Sequence, residues 1–407
     1  MSSSRPSPAF RLLLLAAAAV SACTAAPAPP TPDVPGAVLY EGARLITGDG
    51  SAPIERSAFL VENGRFTSVG QQGERQPPAG AATVSLAGKT VMPALVDAHS
   101  HIGYMKDLTS GPQNYTRENI LDHMHRFAYF GVAASQAMGS DFGELPFQIR
   151  DELLNGADPD AARFLTAGRG LAPLEEISPG NMRHAAYVVT TVEGARADVQ
   201  ELARRQVRLV KMWVETRGGT IETLTPDLYG AILDEAHAQG MRVAVHATAL
   251  EDAKALLRAD IDIFAHMIGD VDDELVALFT ERPNTAVLLA LSAPRRIVSA
   301  PWLSPVHPLI RDTVSPAQIA RLRDRLAGQS PEVVEQGRLV WERLARGVGL
   351  LAAAGVKIGV GTDGGGQNGD QFVGWTMHAE LENMVAAGMT PAQVLVAATR
   401  NSAEILG

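Results

Sequence analysis

Histidine, lysine and aspartate residues stand at or near the ends of several short apolar runs in this sequence of 407 residues. His99 and His101 end the first run, and later runs carry Lys211, His246, His266 and Asp363. Because alternate side chains of a β-strand point to the same face, His99 and His101 could bind one metal ion together. Imidazole and carboxylate ligands suit zinc, manganese, iron or cobalt better than calcium, which prefers oxygen ligands alone. The pattern therefore predicts a transition-metal site where these run ends meet.

Eight apolar runs alternate with amphipathic segments after residue 90, which predicts an α/β fold of the (β/α)8, or TIM, barrel type. The runs cover residues 91–98, 131–138, 162–168, 207–214, 241–246, 260–266, 284–291 and 356–362. In such a barrel the carboxyl ends of all strands lie on one face, where active sites are built. A single strand histidine is more often a core residue than a ligand, but four of the ten histidines fall at strand ends. The other six are expected in helices or loops, away from the metal: His123, His125, His184, His237, His307 and His378.

A small β-sandwich portion is predicted for residues 37–90, ahead of the barrel at residues 91–407. This stretch contains short runs of β-forming residues, and Asn63-Gly64 lies between two of them. Asn-Gly flanked by such runs is a strong signal for a two-residue β-hairpin turn. The unit is too small to bury its own sheet well, so we expect it to pair with further strands or to pack against the segment that follows.

Composition excludes several classes of protein. The chain has 35 Lys and Arg against 45 Asp and Glu, a net charge of -10, which argues against nucleic-acid binding. Its one cysteine rules out internal disulfides and a cysteine-rich metal site. An apolar content of 46% supplies a large core. A small-molecule substrate fits these properties, and a homo-oligomer is compatible with them.

The first 22 residues are interpreted as a secretory signal peptide. Arg5 and Arg11 precede the apolar stretch at residues 12–20, which is too short for a permanent membrane span. Cys23 follows two small residues, as in the processing site of bacterial lipoproteins, so we expect it to carry the lipid. The Ala/Pro-rich residues 23–36 would then be a tether. This predicts an exported protein, periplasmic or in the cell envelope and anchored to the membrane at Cys23; the alternative is an ordinary signal peptide with Cys23 incidental.

The motifs at residues 91–101 and 361–363 resemble those of the amidohydrolase superfamily. The short interval between the two later histidines and the segment at residues 389–407 resemble imidazolonepropionases and binuclear, prolidase-like dipeptidases. The resemblance implies two divalent metal ions, with zinc preferred. It places one on His99, His101 and Asp363, the second on His246 and His266, and a carboxylated Lys211 between them. Imidazolonepropionases use a single metal, so a lysine at this position favours the dipeptidase branch.

These parts imply a metal-dependent hydrolase of carbon–nitrogen bonds that acts on dipeptides or N-acyl amino acids. A metal-activated hydroxide would attack the amide carbonyl, and Asp363 would carry the proton to the leaving nitrogen. The alternative for Asp363 is a purely structural role, in a turn or as an N-cap. Two other functions stay open: a mononuclear hydrolase of cyclic amides, and a non-catalytic metal- or solute-binding lipoprotein on the same barrel.

Substrate contacts are harder to predict. Residues 292–355 form a long connection between the last two strands, which predicts a lid. Arg295 and Arg296 at its start could bind a substrate carboxylate, although solvated surface arginines are the commoner case. Tyr104, three residues after His101, could contact a tetrahedral oxygen or could simply pack. The resemblance also implies further strands after Gly407 that would complete the small sandwich, so we expect this chain to be a fragment or to leave that sheet incomplete.

Overall fold

The computed structural model describes residues 36–74, 76–175, 181–292, 295, 300, 303, 306–366 and 371–407. The predicted signal peptide, nearly all of the tether, Cys23 and Arg296 lie outside the described residues. Within the described part of the chain, no helix is both long enough and apolar enough to cross a membrane.

The N-terminal strands form one mixed sheet. Strands β1 (Val38–Leu45), β2 (Ile54–Glu62), β3 (Arg65–Gln71) and β4 (Ala82–Ser85) lie in the order β3-β2-β1-β4, and β5 (Thr90–Val91) also pairs with β1. The predicted hairpin is confirmed, because Glu62 pairs with Arg65 around a two-residue turn. Asn63 and Gly64 have φ of 51° and 72°, the left-handed pair that a type I′ turn requires.

Each of the eight predicted runs contains or overlaps a strand. These strands are β6 (Leu95–Ser100), β9 (Val132–Ala137), β10 (Arg163–Thr166), β13 (Leu209–Trp213), β14 (Arg242–His246), β15 (Ile263–Phe264), β16 (Ala286–Leu288) and β17 (Lys357–Gly359). The remaining short strands are β7 (Met105–Lys106), β8 (Thr109–Ser110), β11 (Leu171–Ala172) and β12 (Tyr187–Val188). The eight strands alternate with helices, so the fold is mixed α/β.

Neighbouring strands in the chain are parallel neighbours in space. β6, β9 and β10 form one parallel set, and β13 to β17 form another in chain order. The two sets meet where the Ala98 amide donates to the Val360 carbonyl, 2.9 Å away, and Ser100 bridges Gly364. On the opposite side, strand β11, which follows β10 in the chain, pairs with β13. The closed (β/α)8 barrel stays a prediction.

The helices follow the strands with ordinary sequence signals. They are α1 (Arg117–Tyr129), α2 (Leu145–Leu154), α3 (Val192–Arg204), α4 (Pro226–Ala238), α5 (Leu250–Arg258), α6 (Asp273–Glu281), α7 (Pro316–Ala327), α8 (Pro331–Ala353), α9 (Trp375–Ala386), α10 (Pro391–Val396) and α11 (Ser402–Leu406). Helix α4 has proline in its first turn and buries Ile232 and Leu233, as its apolar spacing predicts. It ends before Gly240, whose φ of 71° suits a residue without a Cβ.

The long connection after β16 contains helices α7 and α8. From α7, the Gln318 amide donates to the Asp107 carbonyl at 2.7 Å, and Arg321 donates to the Leu108 carbonyl at 2.7 Å. Part of the predicted lid is therefore regular helix, and it is held against the loop that follows β6.

Candidate active site

The predicted strand-end residues converge on one point. The Asp363 Oδ1 atom lies 3.0 Å from Nε2 of His101 and 3.4 Å from Nε2 of His99. The two Nε2 atoms are themselves 3.4 Å apart. The ring centroids of His266 and His99 are 4.8 Å apart, and those of His246 and His266 are 4.4 Å apart. His99, His266 and Asp363 offer ligand atoms within 4.8 Å of one another, close enough to share a metal ion.

The Nδ1 atoms of the first two histidines contact residues that follow two other strands, β15 and β9. His99 donates through Nδ1 to the Ala265 carbonyl at 2.8 Å, and His101 Nδ1 lies 2.9 Å from the Ser140 hydroxyl. In each ring the other nitrogen, Nε2, faces Asp363. Partners of this kind fix the orientation of a ligating imidazole and leave one lone pair free for a metal.

Burial sets the charges of the ligand set. It lowers the pKa of His99 and of His266 well below the usual value, so both imidazoles are neutral and keep a lone pair. Burial would raise the pKa of Asp363, but the contact with His101 and the neighbouring His99 and His266 hold it well below its usual range. Neutral imidazoles around an ionised carboxylate are the donors that divalent transition metals prefer.

Lys211 is buried beside this cluster with only 1% of its surface exposed. Its Nζ has no hydrogen-bond partner among the described residues. Burial lowers the pKa of this amine to about 7, with the charge of Arg183 acting in the same direction. A buried polar group without a partner is costly, so this atom needs a partner that the described side chains do not supply. The donor set and the orphaned amine together fit a metal centre.

Known proteins share this architecture, although no family model matches the chain. An uncharacterized protein of Mycobacterium bovis is 29% identical over 347 residues, covering 82% of this chain and 78% of that protein. The enamidase of Eubacterium barkeri is 22% identical over 235 residues, covering 56% and 55%. A solved protein from Bifidobacterium longum assigned as a prolidase superposes with a TM-score of 0.71 at 26% identity, covering 92% and 84%. A Xaa-Pro dipeptidase with bound methionine gives 0.69 at 20% identity, covering 91% and 89%.

These likenesses support the predicted resemblance to the amidohydrolase superfamily. They likewise support an amidohydrolase-type hydrolase of carbon–nitrogen bonds.

Asp97 is a residue that sequence reasoning did not assign to the site. Its buried carboxyl accepts hydrogen bonds from the Thr362 amide at 3.0 Å, the Thr362 hydroxyl at 2.6 Å and the His99 amide at 3.2 Å. Burial raises its pKa to about 7. Asp97 therefore ties the strand that carries His99 to the segment that carries Asp363. It lies two residues before His99 on the same strand face, and that spacing was a usable signal.

Glu215 is the second site residue that sequence reasoning missed. Its Oε2 lies 3.2 Å from Nε2 of His246, and its Oε1 accepts from Arg183 at 2.7 Å. Burial would raise the pKa of Glu215, but the His246 contact and the nearby Arg183 and Arg217 lower it to about 2. A carboxylate just beyond the strand that holds Lys211 was visible in the sequence, but its partners come from distant segments.

Tyr104 and Arg295, two of the predicted substrate contacts, both contact other protein groups. Tyr104 is fully buried, and its hydroxyl donates to the Ser140 carbonyl at 2.5 Å. The Arg295 guanidinium stacks over the Trp341 ring, 4.1 Å from its centroid. Contact of Tyr104, Arg295 or Arg296 with substrate stays a prediction.

Replacing Gly139 by alanine is expected to reduce the hydrolase activity of the protein by about 10²-fold, because small displacements of catalytic groups are that costly. Gly139 has a φ of 81°, and a Cβ there would lie 2.8 Å from Cβ and Cγ of Lys211. Gly143→Ala is the matched control, because its φ is 70° but nothing lies within 4 Å of its Cβ. Both variants carry left-handed backbone strain, but only Gly139→Ala should also lose metal, as measured by elemental analysis. Equal metal content in the two variants would contradict this.

Proposed function

We propose that this amidohydrolase is a binuclear metallopeptidase-like enzyme that cleaves the amide bond of a dipeptide or an N-acyl amino acid. The observation that carries the proposal is the buried Lys211 amine beside four histidines and Asp363, because in the described part of the chain this amine has no hydrogen-bond partner. Support for the substrate class comes from the solved structures described as a prolidase and a Xaa-Pro dipeptidase. We further propose that the parallel strands close into a (β/α)8 barrel around this site.

The residues divide into two ligand groups. His99, His101 and Asp363 would hold one ion, His246 and His266 would hold the other, and a carboxylated Lys211 would bridge them. Zinc is the ion we propose, since neutral imidazoles and carboxylates make up the set. When bound, the ions would supply Lewis-acid activation of water and of the amide carbonyl.

Asp363 has the chemistry of a proton carrier. Its carboxyl is ionised, since its pKa lies well below the usual range, so it can accept a proton from the attacking water. The same group can then release that proton to the leaving nitrogen. Asp363 has a φ of 54°, an uncommon backbone conformation for a residue other than glycine and one that is often found at functional sites.

The decisive experiment measures metal content and hydrolysis on one preparation. We expect about two metal ions per chain, together with turnover of some member of a panel of dipeptides and N-acyl amino acids. One ion per chain with turnover of cyclic amides would select the mononuclear alternative. Bound metal with no turnover of any amide would instead favour a metal- or solute-binding protein.

We also propose that the protein is exported and held at the membrane by a lipid on Cys23. The Cys23→Ser variant is expected to move from the membrane fraction to the soluble fraction, because a bilayer-anchoring acyl chain can no longer be attached. Immunoblots of fractionated cells would measure this, with Ser21→Ala as the control that keeps the thiol. Identical partitioning of wild type and Cys23→Ser would show that the lipoprotein interpretation is wrong.

A further inference from the structure

A cavity of about 890 Å³ lies beside the amino-terminal ends of the parallel strands, whereas the proposed metal ligands lie towards their carboxyl-terminal ends. The cavity occupies a gap between strands β10 and β13. Strand β10 pairs with β9, and β13 pairs with β14 and meets β11 at Met212, near its carboxyl-terminal end. In the ranges that the structure describes, no pairing joins β10 to β13, so the wall of strands is open at this point.

The walls of this cavity are mainly apolar and partly exposed to water. Strand β9 contributes Ala133, whose side chain is exposed, and β6 and β10 contribute the half-buried Val96 and Leu165. Helices α2 and α11 add Leu154, which is 49% exposed, and Leu406. Because apolar surface in contact with water is unfavourable, an apolar group that covers these side chains gains free energy. A cavity of this volume with mainly apolar walls is typical of sites for small organic molecules.

Arginine side chains give the rim of the cavity a positive charge. Arg163 at the start of β10 and Arg208 just before β13 are both exposed, and one Arg208 nitrogen donates to the Gly407 carbonyl at 3.3 Å. A third lining arginine, Arg150, is paired through Nε with Asp151 at 2.8 Å. Asp151 is the one acidic side chain among the described residues that line the cavity, so the other two arginines are not neutralised there. The rim is therefore positive, although the whole chain has a net charge of -10.

We propose that this cavity binds a long-chain carboxylate, with its head group at Arg163 and Arg208 and its alkyl chain along the apolar walls. A planar guanidinium can donate two parallel hydrogen bonds to one carboxylate. Each methylene that leaves water for the apolar walls should tighten binding about fourfold. An inorganic anion would use the rim alone and a neutral hydrocarbon the walls alone, so a ligand with both parts fits best. This site is separate from the metal centre, and its occupancy does not depend on the proposed hydrolysis.

The test titrates the full chain with straight-chain carboxylates from butanoate to decanoate, by isothermal titration calorimetry. We expect the affinity to rise about fourfold per methylene, and 1-octanol to bind at least about fivefold more weakly than octanoate. Arg163→Gln removes one charge from the rim, so it should weaken octanoate binding about three- to fivefold. Ala133→Phe fills the space of the alkyl chain and should weaken it at least about tenfold. Arg311→Gln is the matched control, because Arg311 is also exposed but does not line the cavity, and its affinity should match wild type.

Four results would overturn the proposed carboxylate site. Equal affinities for octanoate and 1-octanol would show a merely apolar cavity, and equal affinities along the carboxylate series would show an anion site that makes no use of the walls. Unchanged octanoate affinity in both Arg163→Gln and Ala133→Phe would place the binding elsewhere, the metal centre included. The fourth result is the absence of saturable binding by wild type. Thermal melting checks the fold of each variant, and if Ala133→Phe does not fold, the chain-length series and Arg163→Gln still decide.

Discussion

The Asp363→Asn variant is expected to lose about 10²- to 10⁴-fold in kcat while it retains much of its metal. The asparagine keeps a side-chain oxygen where Oδ1 now lies, 3.0 Å from Nε2 of His101, so a ligand atom is still present. An amide cannot take up a proton near neutral pH, so the transfer to the leaving nitrogen is lost. Steady-state kinetics and elemental analysis on the same sample would measure both effects.

Asp141→Asn is the matched control for this experiment. Asp141 is also fully buried near the site, where it accepts hydrogen bonds from Tyr115, at 2.8 Å, and from Thr166. Its carboxylate does not contact any of the proposed ligands among the described residues, so we expect less than about a tenfold change in kcat. Near-normal turnover in Asp363→Asn, or equal losses in the two variants, would refute the role of Asp363 as proton carrier.

The convergence of the proposed ligands could be predicted because the geometry of parallel strands turns positions in the sequence into neighbours in space. His99, His246 and Asp363 are far apart along the chain, but each stands at or just after the end of a buried run. Parallel strands bring those ends to one edge of the sheet, and the structure places the ligand atoms within a few ångströms there. Two of the histidines that were predicted to lie in helices are found there: His123 lies in α1 and His378 in α9.

The partners of these ligands could not be predicted from the sequence. Ser140 and Ala265 contact His101 and His99 through a hydroxyl and a backbone carbonyl, and neither group has a distinctive pattern. Glu215 depends on Arg183, which comes from a connection between β11 and α3 with no regular periodicity. Such contacts depend on the path of loops, which composition and periodicity do not determine.

The limits of the strands, like the partners of the histidines, could be predicted only in part. The sixth run was predicted at residues 260–266, but regular pairing is confined to Ile263–Phe264. Ala265 still donates to the Val245 carbonyl at 2.8 Å, while its own carbonyl accepts from His99. The apolar pattern therefore extends past the strand because the following residues are buried to build the site.

Lys211 gives the second large effect that we expect, because the lysine side chain must change chemically to serve as a ligand. An ammonium offers no lone pair, and beside a metal it would be repelled: like charges about 4 Å apart cost about 4 kcal/mol even at an effective dielectric constant near 20. Burial lowers the pKa of this amine to about 7, so the neutral form, which can react with CO2, is well populated near neutral pH. Reaction with CO2 gives a carbamate and releases one proton, and the repelled cation becomes an anion with two oxygen donors.

We therefore expect Lys211→Ala to hold at most about one metal ion per chain where wild type holds about two, with activity lost in parallel. A short carboxylic acid added to Lys211→Ala should restore part of both by filling the vacated bridge. Lys254→Ala is the matched control: Lys254 is 4% exposed and lies 2.7 Å from Asp272, and its ion pairs raise its pKa, so it stays protonated and cannot be carboxylated. Its metal content should match wild type.

The pH dependence of metal loading separates carboxylation from a structural role of Lys211. The folded-state pKa is lowered to about 7, so the reactive neutral amine is scarce below that pH and predominates above it. Apo enzyme incubated with bicarbonate and zinc should therefore recover faster at pH 8 than at pH 6, and rigorous removal of CO2 should abolish the difference. Carboxylation increases the mass of the lysine by that of CO2. Native mass spectrometry of the loaded enzyme can detect this increase. A fully active wild type with one metal ion and an unmodified Lys211 amine would instead mean that the buried amine acts without a metal bridge.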